Sequence, residues 1–286
     1  MQIRKAVIPA AGYGTRLLPL TKSVPKEMLP LVDKPAIHYV VEEAAKAGIK
    51  EILIITGKNK RAIEDYFDKS IELEEHLLKR GERDKAKLVQ EISEIAEIYY
   101  IRQKEPRGLG DAILCAQTFI GKEPFAVLLG DDVIDSGKPA IQQLMEAYEK
   151  YKCSIIGVQE VAKEEVSKYG IVEIEEIDEN TGIVKEMVEK PKIEEAPSNI
   201  AIHGRYILTT TVFDAIKEVE KHAKKNEEIQ LTDALKLLLH KERVIAVKYE
   251  GKKYEIGSIT EYAAAFIEMA MKREKIWKKI MRELKS

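Results

Sequence analysis

Two hydrophobic periods alternate along the first half of this chain, and few architectures accept that. Residues 3–9 are an apolar run of strand length, followed by a glycine-bearing loop at 10–16. Residues 36–47 (AIHYVVEEAAKA) repeat their apolar positions at helical spacing and stop at Gly48. EILIIT at 51–56 is again a strand. This exchange predicts a Rossmann-like α/β fold, a mainly parallel sheet with helices on both faces. Further strands are expected at 98–102, 125–129 and 154–161, with a helix over 137–151. FAVLL at 125–129 is apolar throughout, as a strand covered on both faces requires. Residues 59–96 are charged and read as a helical insertion with a break near Gly81. Its apolar residues Ile71, Leu73, Leu77 and Leu78 recur at helical spacing.

Beyond residue 161 the pattern changes. YGIVEIEEI, GIVKEMVEK and NIAIHGRYIL are extended segments with little helix between them, which predicts antiparallel or mixed sheet on the first half. Helices are expected over 210–224 and 231–240, a strand over 243–249, and a closing helix over 258–284. Ala265, Phe266, Met269, Ala270, Ile276, Trp277 and Ile280 form a stripe on that helix, suited to core packing or to a subunit contact. The expected organisation is one domain over 1–270, with 258–286 as its C-terminal helix.

Bulk composition narrows the function. The 286 residues are 45% apolar, enough for a substantial core. The net charge is −2, from 47 basic and 49 acidic residues, so there is no global basic field and nucleic acid is not an expected partner. Lys and Glu dominate a 34% charged content and Asn occurs four times. Thermophile ion-pair surfaces share that bias with ordinary solvated ones. Cys115 and Cys153 lie in apolar sequence, too few for a disulfide scaffold and wrongly spaced for a metal. No apolar run approaches the roughly 20 residues of a membrane helix. The first residues lack the apolar core of a signal peptide, so a cytoplasmic location without membrane contact is expected.

Five segments carry polar residues suited to chemistry. The first is PAAGYGTR, Pro9 to Arg16, directly after the first strand. Small residues there let backbone N–H groups approach phosphate, and Arg16 adds charge-assisted donors. The spacing is neither GxGxxG nor GxxxxGK[ST], which sets aside a dinucleotide oxidoreductase and a P-loop. The second is PKEMLP, where Pro25 and Pro30 hold Lys26 on a fixed loop. The third is RQKEPRGLGDA, Arg102 to Ala112. Gln103 can pair with a pyrimidine edge, and Gly108 and Gly110 let a flat base lie against the backbone. The fourth is Gly130-Asp131-Asp132, after the FAVLL strand. Carboxylates at a strand end suit Mg2+ held against phosphates, and they equally suit a capping turn. The fifth is Val188-Glu189-Lys190-Pro191, in which Glu189 could accept from sugar hydroxyls and Lys190 neutralise a sugar phosphate. Each segment alone also suits an ordinary surface turn.

Taken in order and spacing, these segments resemble the bacterial and archaeal UTP–glucose-1-phosphate uridylyltransferases of the sugar-nucleotide pyrophosphorylase superfamily. The likeness runs from about residue 3 to about residue 270. It is carried most specifically by PAAGYGTRLLPLTKSVPKEMLPLVDKP, RQKEPRGLGDAILCA, EIQLTDAL and PSNIAIHGRYIL. It implies a Rossmann-like mixed sheet with a small second sheet over the sugar site, and a homo-oligomer, dimer or tetramer. It implies that Ala10, Ala11 and Gly12 contact the nucleotide, Arg16 and Lys26 its phosphates, and Gln103 and Gly108 the uracil. By the same resemblance Asp131 holds Mg2+, Gly170, Glu189 and Asn199 face the sugar, and Lys190 meets its phosphate. The family's second metal-binding Asp is Glu255 here, and Thr260-Glu261-Tyr262 stands where Leu-Gly-Tyr is common. The implied reaction joins UTP to glucose 1-phosphate and releases pyrophosphate. The same chemistry on dTTP or another sugar phosphate, and a regulator that binds nucleotide sugars without turnover, stay open at this point.

Overall fold

The computed structural model describes residues 2–225 and 227–284. β1 (Lys5–Ala10) leads through a long loop to a hairpin of β2 (Pro30–Leu31) and β3 (Lys34–Pro35), then to α1 (Ala36–Lys46) and β4 (Glu51–Thr56). β1 and β4 pair in parallel from Lys5↔Glu51 to Ala10↔Thr56. The helical insertion is three helices, α2 (Arg61–Phe67), α3 (Ile71–Lys79) and α4 (Arg83–Ser93), and it returns to β5 (Glu97–Arg102), parallel to β4. Gly81, at φ +75, makes the expected break between α3 and α4. Of the apolar residues at helical spacing on α3, Ile71, Leu73 and Leu78 face solvent and Leu77 is half-buried, while Glu74 is buried and accepts from Gln90 at 2.9 Å.

α5 (Leu109–Leu114) and α6 (Gln117–Ile120) precede β6 (Phe125–Leu128), which lies parallel to β1. β7 (Asp132–Asp135), α7 (Ala140–Tyr151) and β8 (Ser154–Glu160) follow. Then come β9 (Gly170–Glu176), β10 (Thr181–Glu189) and β11 (Ile200–Leu208). The chain closes with α8 (Thr211–His222), α9 (Leu231–Leu238), β12 (Val244–Lys248), β13 (Lys252–Glu255), α10 (Ile259–Lys272) and α11 (Glu274–Glu283).

Nine strands form one mixed sheet in the order β5-β4-β1-β6-β11-β8-β12-β10-β9. Its far end curls until β9 touches β11 again at Ile171 and Ala201. The antiparallel strands β9 and β10 therefore continue the main sheet. The small separate sheet on the site side is the two-stranded ribbon of β7 and β13, which sets Glu255 opposite Asp132. Strand alternation feeds two cores. Ile8 packs with Ile37, Val40, Leu144 and Met269 on one face, and Val7 packs with Ile113, Phe213, Ile216 and Leu235 on the other.

The closing helix is not continuous. Arg273, at φ −90 and ψ 79, separates α10 from α11. Its guanidinium reaches Asp33 at 3.1 Å and the Tyr39 hydroxyl at 3.3 Å, and these tertiary bonds replace a helical turn. Ala265, Met269 and Ala270 on α10 are buried as expected, whereas α11, with Ile276, Trp277 and Ile280, buries none of its residues.

Candidate functional site

Two cavities of about 590 and 320 Å3 meet at the carboxyl ends of β1 and β6. They share Leu109, Leu129, Asp131 and Glu228 as a common wall. Strand ends of an open α/β sheet are where backbone loops can converge on a ligand.

The first cavity is lined by Ala10, Ala11, Gly12, Lys26, Gln103 and Gly108. The loop after β1 holds its shape through Gly14 at φ +67, whose missing Cβ leaves room for Thr21 and Lys26. Lys26 begins a short 3-10 turn bounded by the prolines. On the opposite side, Gly108 stands at φ +102, and a Cβ there would lie 2.6 Å from the Ile229 carbonyl. Gly110 donates to that carbonyl at 2.8 Å, and Ile229 donates back to Arg107 at 2.7 Å. The 106–110 loop is thus stitched to the segment before α9. Gln103 is buried beneath it and donates from Nε2 to the Gly108 carbonyl at 3.2 Å and to Asp111 at 2.6 Å.

Pairs of opposite charge lie around Asp131 in and beneath the two cavities. Lys26 pairs with Asp131, and Lys60 pairs with the buried Glu27 at 2.7 Å. Burial raises the Asp131 carboxyl, but the Lys26 ammonium and its hydrogen bond outweigh this and hold it below the usual range. Lys253 lies 2.7 Å from Glu255 and 3.5 Å from Asp132, with Tyr169 beneath its ammonium. The Tyr169 hydroxyl donates to Glu255 at 2.6 Å. Against the cost of burial, Lys253 and this hydrogen bond keep Glu255 ionised below its ordinary value. Asp132 is raised by burial, and its carbonyl accepts from Arg205 at 2.7 Å.

Asp131 and Glu255 present two ionised hard oxygen donors to one cavity, the donor type that Mg2+ takes. Among the described residues no group of three or more His, Cys, Asp or Glu is arranged to hold an ion. A cation there would complete its shell from phosphate and water, as Mg2+ does with nucleotides.

The second cavity holds Gly170, Glu189, Lys190, Tyr206, Thr232 and Arg16. Thr232 donates to Glu189 at 2.6 Å, and Lys190 lies 3.3 Å from the same carboxylate. Lys190 is held at φ +45 while its N–H donates to Tyr169 at 2.9 Å. A Cβ on Gly170 would come within 2.9 Å of the Thr232 hydroxyl, so glycine keeps this floor open. Arg16 is exposed on the rim, and among the described residues no carboxylate pairs with it.

The structure brings together all the residues singled out from sequence except Asn199. That side chain is exposed outside both cavities and donates to the Val161 carbonyl at 3.2 Å. No role was legible in sequence for Lys253, Tyr169, Thr232, Asp111 or Arg205, although Tyr169 adjoins Gly170 and Asp111 and Thr232 fall within RQKEPRGLGDA and EIQLTDAL. Only Lys253 left a signal, since strand alternation puts it on the face of Glu255.

The fold and this two-part, charge-lined cleft define a nucleotidyltransferase, and the family model for nucleotidyl transferases matches residues 5–272. The chain is 56% identical to the UTP–glucose-1-phosphate uridylyltransferase YngB of Bacillus subtilis (strain 168), over 90% of this chain and 86% of that one. It is 50% identical to a second UTP–glucose-1-phosphate uridylyltransferase of that strain, over 96% and 94% of the two chains. Among solved structures it superposes on a UDP-glucose pyrophosphorylase complexed with UDP-glucose at TM-score 0.85 and 47% identity, covering 95% of this chain and 100% of that one. A UTP-bound enzyme of the same kind from Acinetobacter baumannii matches at TM-score 0.88 and 35% identity, covering 99% of each. The chain belongs to the nucleotidyl transferase family, in its branch of UTP–glucose-1-phosphate uridylyltransferases.

Proposed function

We propose that the chain converts UTP and glucose 1-phosphate to UDP-glucose and pyrophosphate, with the nucleotide in the first cavity and the sugar phosphate in the second. The observation that carries this reading is the common wall. Asp131 borders both cavities and pairs with Lys26 of the first, and the Lys253–Glu255 pair lines the second. Two substrates in these cavities would meet beside it.

A phosphate oxygen of glucose 1-phosphate attacks the α-phosphorus of UTP, the bond to the β-phosphate oxygen breaks, and pyrophosphate leaves. The attacking phosphate is already ionised, so no side chain need remove a proton. Catalysis then rests on positioning and charge. Arg16 and Lys26 neutralise the triphosphate, with Ala10, Ala11 and Gly12 as its backbone cradle. Lys190 neutralises the sugar phosphate, and Glu189 accepts from sugar hydroxyls across the open floor at Gly170. Gln103 and Gly108 take the base. Asp131 and Glu255 would hold Mg2+, which when bound supplies charge neutralisation on the phosphates.

The test is product identity. Purified protein with Mg2+, UTP and glucose 1-phosphate should yield UDP-glucose, identified by chromatography. Folded protein that binds UDP-glucose and yields none would refute the catalytic reading.

A further inference from the structure

The Gln103 carboxamide has its polarity decided by its neighbours. Its backbone N–H is fixed to Thr56 at 2.8 Å, and the residue is 5% exposed. A primary amide nitrogen carries two hydrogens. One goes to the Gly108 carbonyl and the other to Asp111 Oδ2, so both are used within the protein. Both neighbours are acceptors, and turning the amide over would set oxygen against oxygen twice. Among the described residues no donor reaches Gln103 Oε1, and the residue lines the nucleotide cavity. Toward a base it therefore offers an acceptor with no donor beside it.

We propose that Asp111 is the positioning residue for nucleotide choice: it holds Gln103 as an acceptor-only group, which favours a base with a ring N–H on its pairing edge. Uracil carries that N–H at N3, while cytosine has a bare lone pair there. The proposal rests on the base contact of Gln103 described above. The carboxylate is set up for this task. Asp111 sits in the first turn of α5. Its Oδ1 lies 3.6 Å from Arg107, which is itself 2.9 Å from Glu220, and that leaves Oδ2 to Gln103. The second acceptor, the Gly108 carbonyl, is held in place by the bonds that flank it, from Gly110 to the Ile229 carbonyl at 2.8 Å and from Ile229 to the Arg107 carbonyl at 2.7 Å.

The experiment is steady-state kinetics with UTP, dTTP and CTP on the full chain and on Asp111→Leu, Asp111→Asn and Gln103→Leu. The ratio of kcat/KM for UTP over CTP is independent of how much protein folds. Asp111→Leu should narrow it roughly tenfold, the scale of one buried hydrogen bond gone wrong, and mainly through KM. The ratio of UTP to dTTP should hold, because thymine presents the same N–H. Asp111→Asn supplies an acceptor oxygen and should restore the preference. An unchanged UTP-over-CTP ratio in Asp111→Leu, beside a collapsed one in Gln103→Leu, would overturn the inference and leave the base contact standing. An unchanged ratio in both would remove the base contact and the inference with it.

Discussion

Glu43→Gln should unfold this chain far more readily than a surface change would, and the structure gives the size. Arg205 has no exposed side-chain surface and Glu43 has 7%. Arg205 Nε and Nη2 donate to Glu43 at 3.0 and 2.7 Å, and Nη2 and Nη1 also serve the carbonyls of Asp132 and Gly204 at 2.7 and 3.0 Å. Glutamine keeps the shape but replaces one acceptor oxygen with a donor nitrogen against the guanidinium. Arg205 can neither reach water nor lose its proton. Leaving a buried charge unpaired costs about 3–5 kcal/mol. Chemical unfolding followed by circular dichroism should show a loss of that order. Glu43→Leu combined with Arg205→Met should cost less than the two singles summed, since no charge is left buried alone, but it stays below wild type because the Ile141 N–H and the carbonyls of Asp132 and Gly204 lose their partners. Turnover should not recover, because the Asp132 carbonyl beside Asp131 loses its donor. A loss below about 1 kcal/mol in Glu43→Gln would mean that the pair behaves as a solvated one. A double variant as costly as the two singles summed would mean that the groups are not coupled.

Two further outcomes follow from the site and the core. Lys190→Ala and Asp131→Ala should each lower turnover by orders of magnitude while the unfolding midpoint stays near wild type, and near-normal turnover would remove that residue from its assigned role. Burial, aided by Lys34, lowers the His38 imidazole from 6.5 to about 4. The unfolded chain then binds a proton that the native state refuses, so stability is full above pH 6.5 and falls as pH drops toward 4. His38→Gln should flatten this acid limb when unfolding is compared at pH 7 and pH 5, and an equal acid loss in both proteins would contradict the assignment.

Local pattern carried much of the fold. β1, α1 and β4 are each a self-contained period, and their ends fall within two residues of the expected positions because Gly48 and the flanking loops mark them. The loop after β1, Gln103 and Asp131 were legible because each follows a strand end, and strand ends converge in this architecture. What stayed hidden depends on distant partners. The Arg273 side chain ends α10 by reaching Asp33, which no helical period records. Arg205 inside an apolar strand gives no hint of Glu43, 162 residues away. Asp111 has no role legible in its segment, because its partner Gln103 lies across the loop, bonded to it at 2.6 Å. Ile71, Leu73 and Leu78 of α3 are helical as their spacing predicts yet face solvent, since spacing alone does not say which face a neighbour covers.

The most direct measurement is pyrophosphate release from the purified chain with Mg2+ and glucose 1-phosphate, comparing UTP with dTTP, ATP, CTP and GTP. Release with UTP well above every other nucleotide is the expected result. A clear preference for another nucleotide, or silence with all five in folded protein, would contradict a uridylyltransferase built on this cleft.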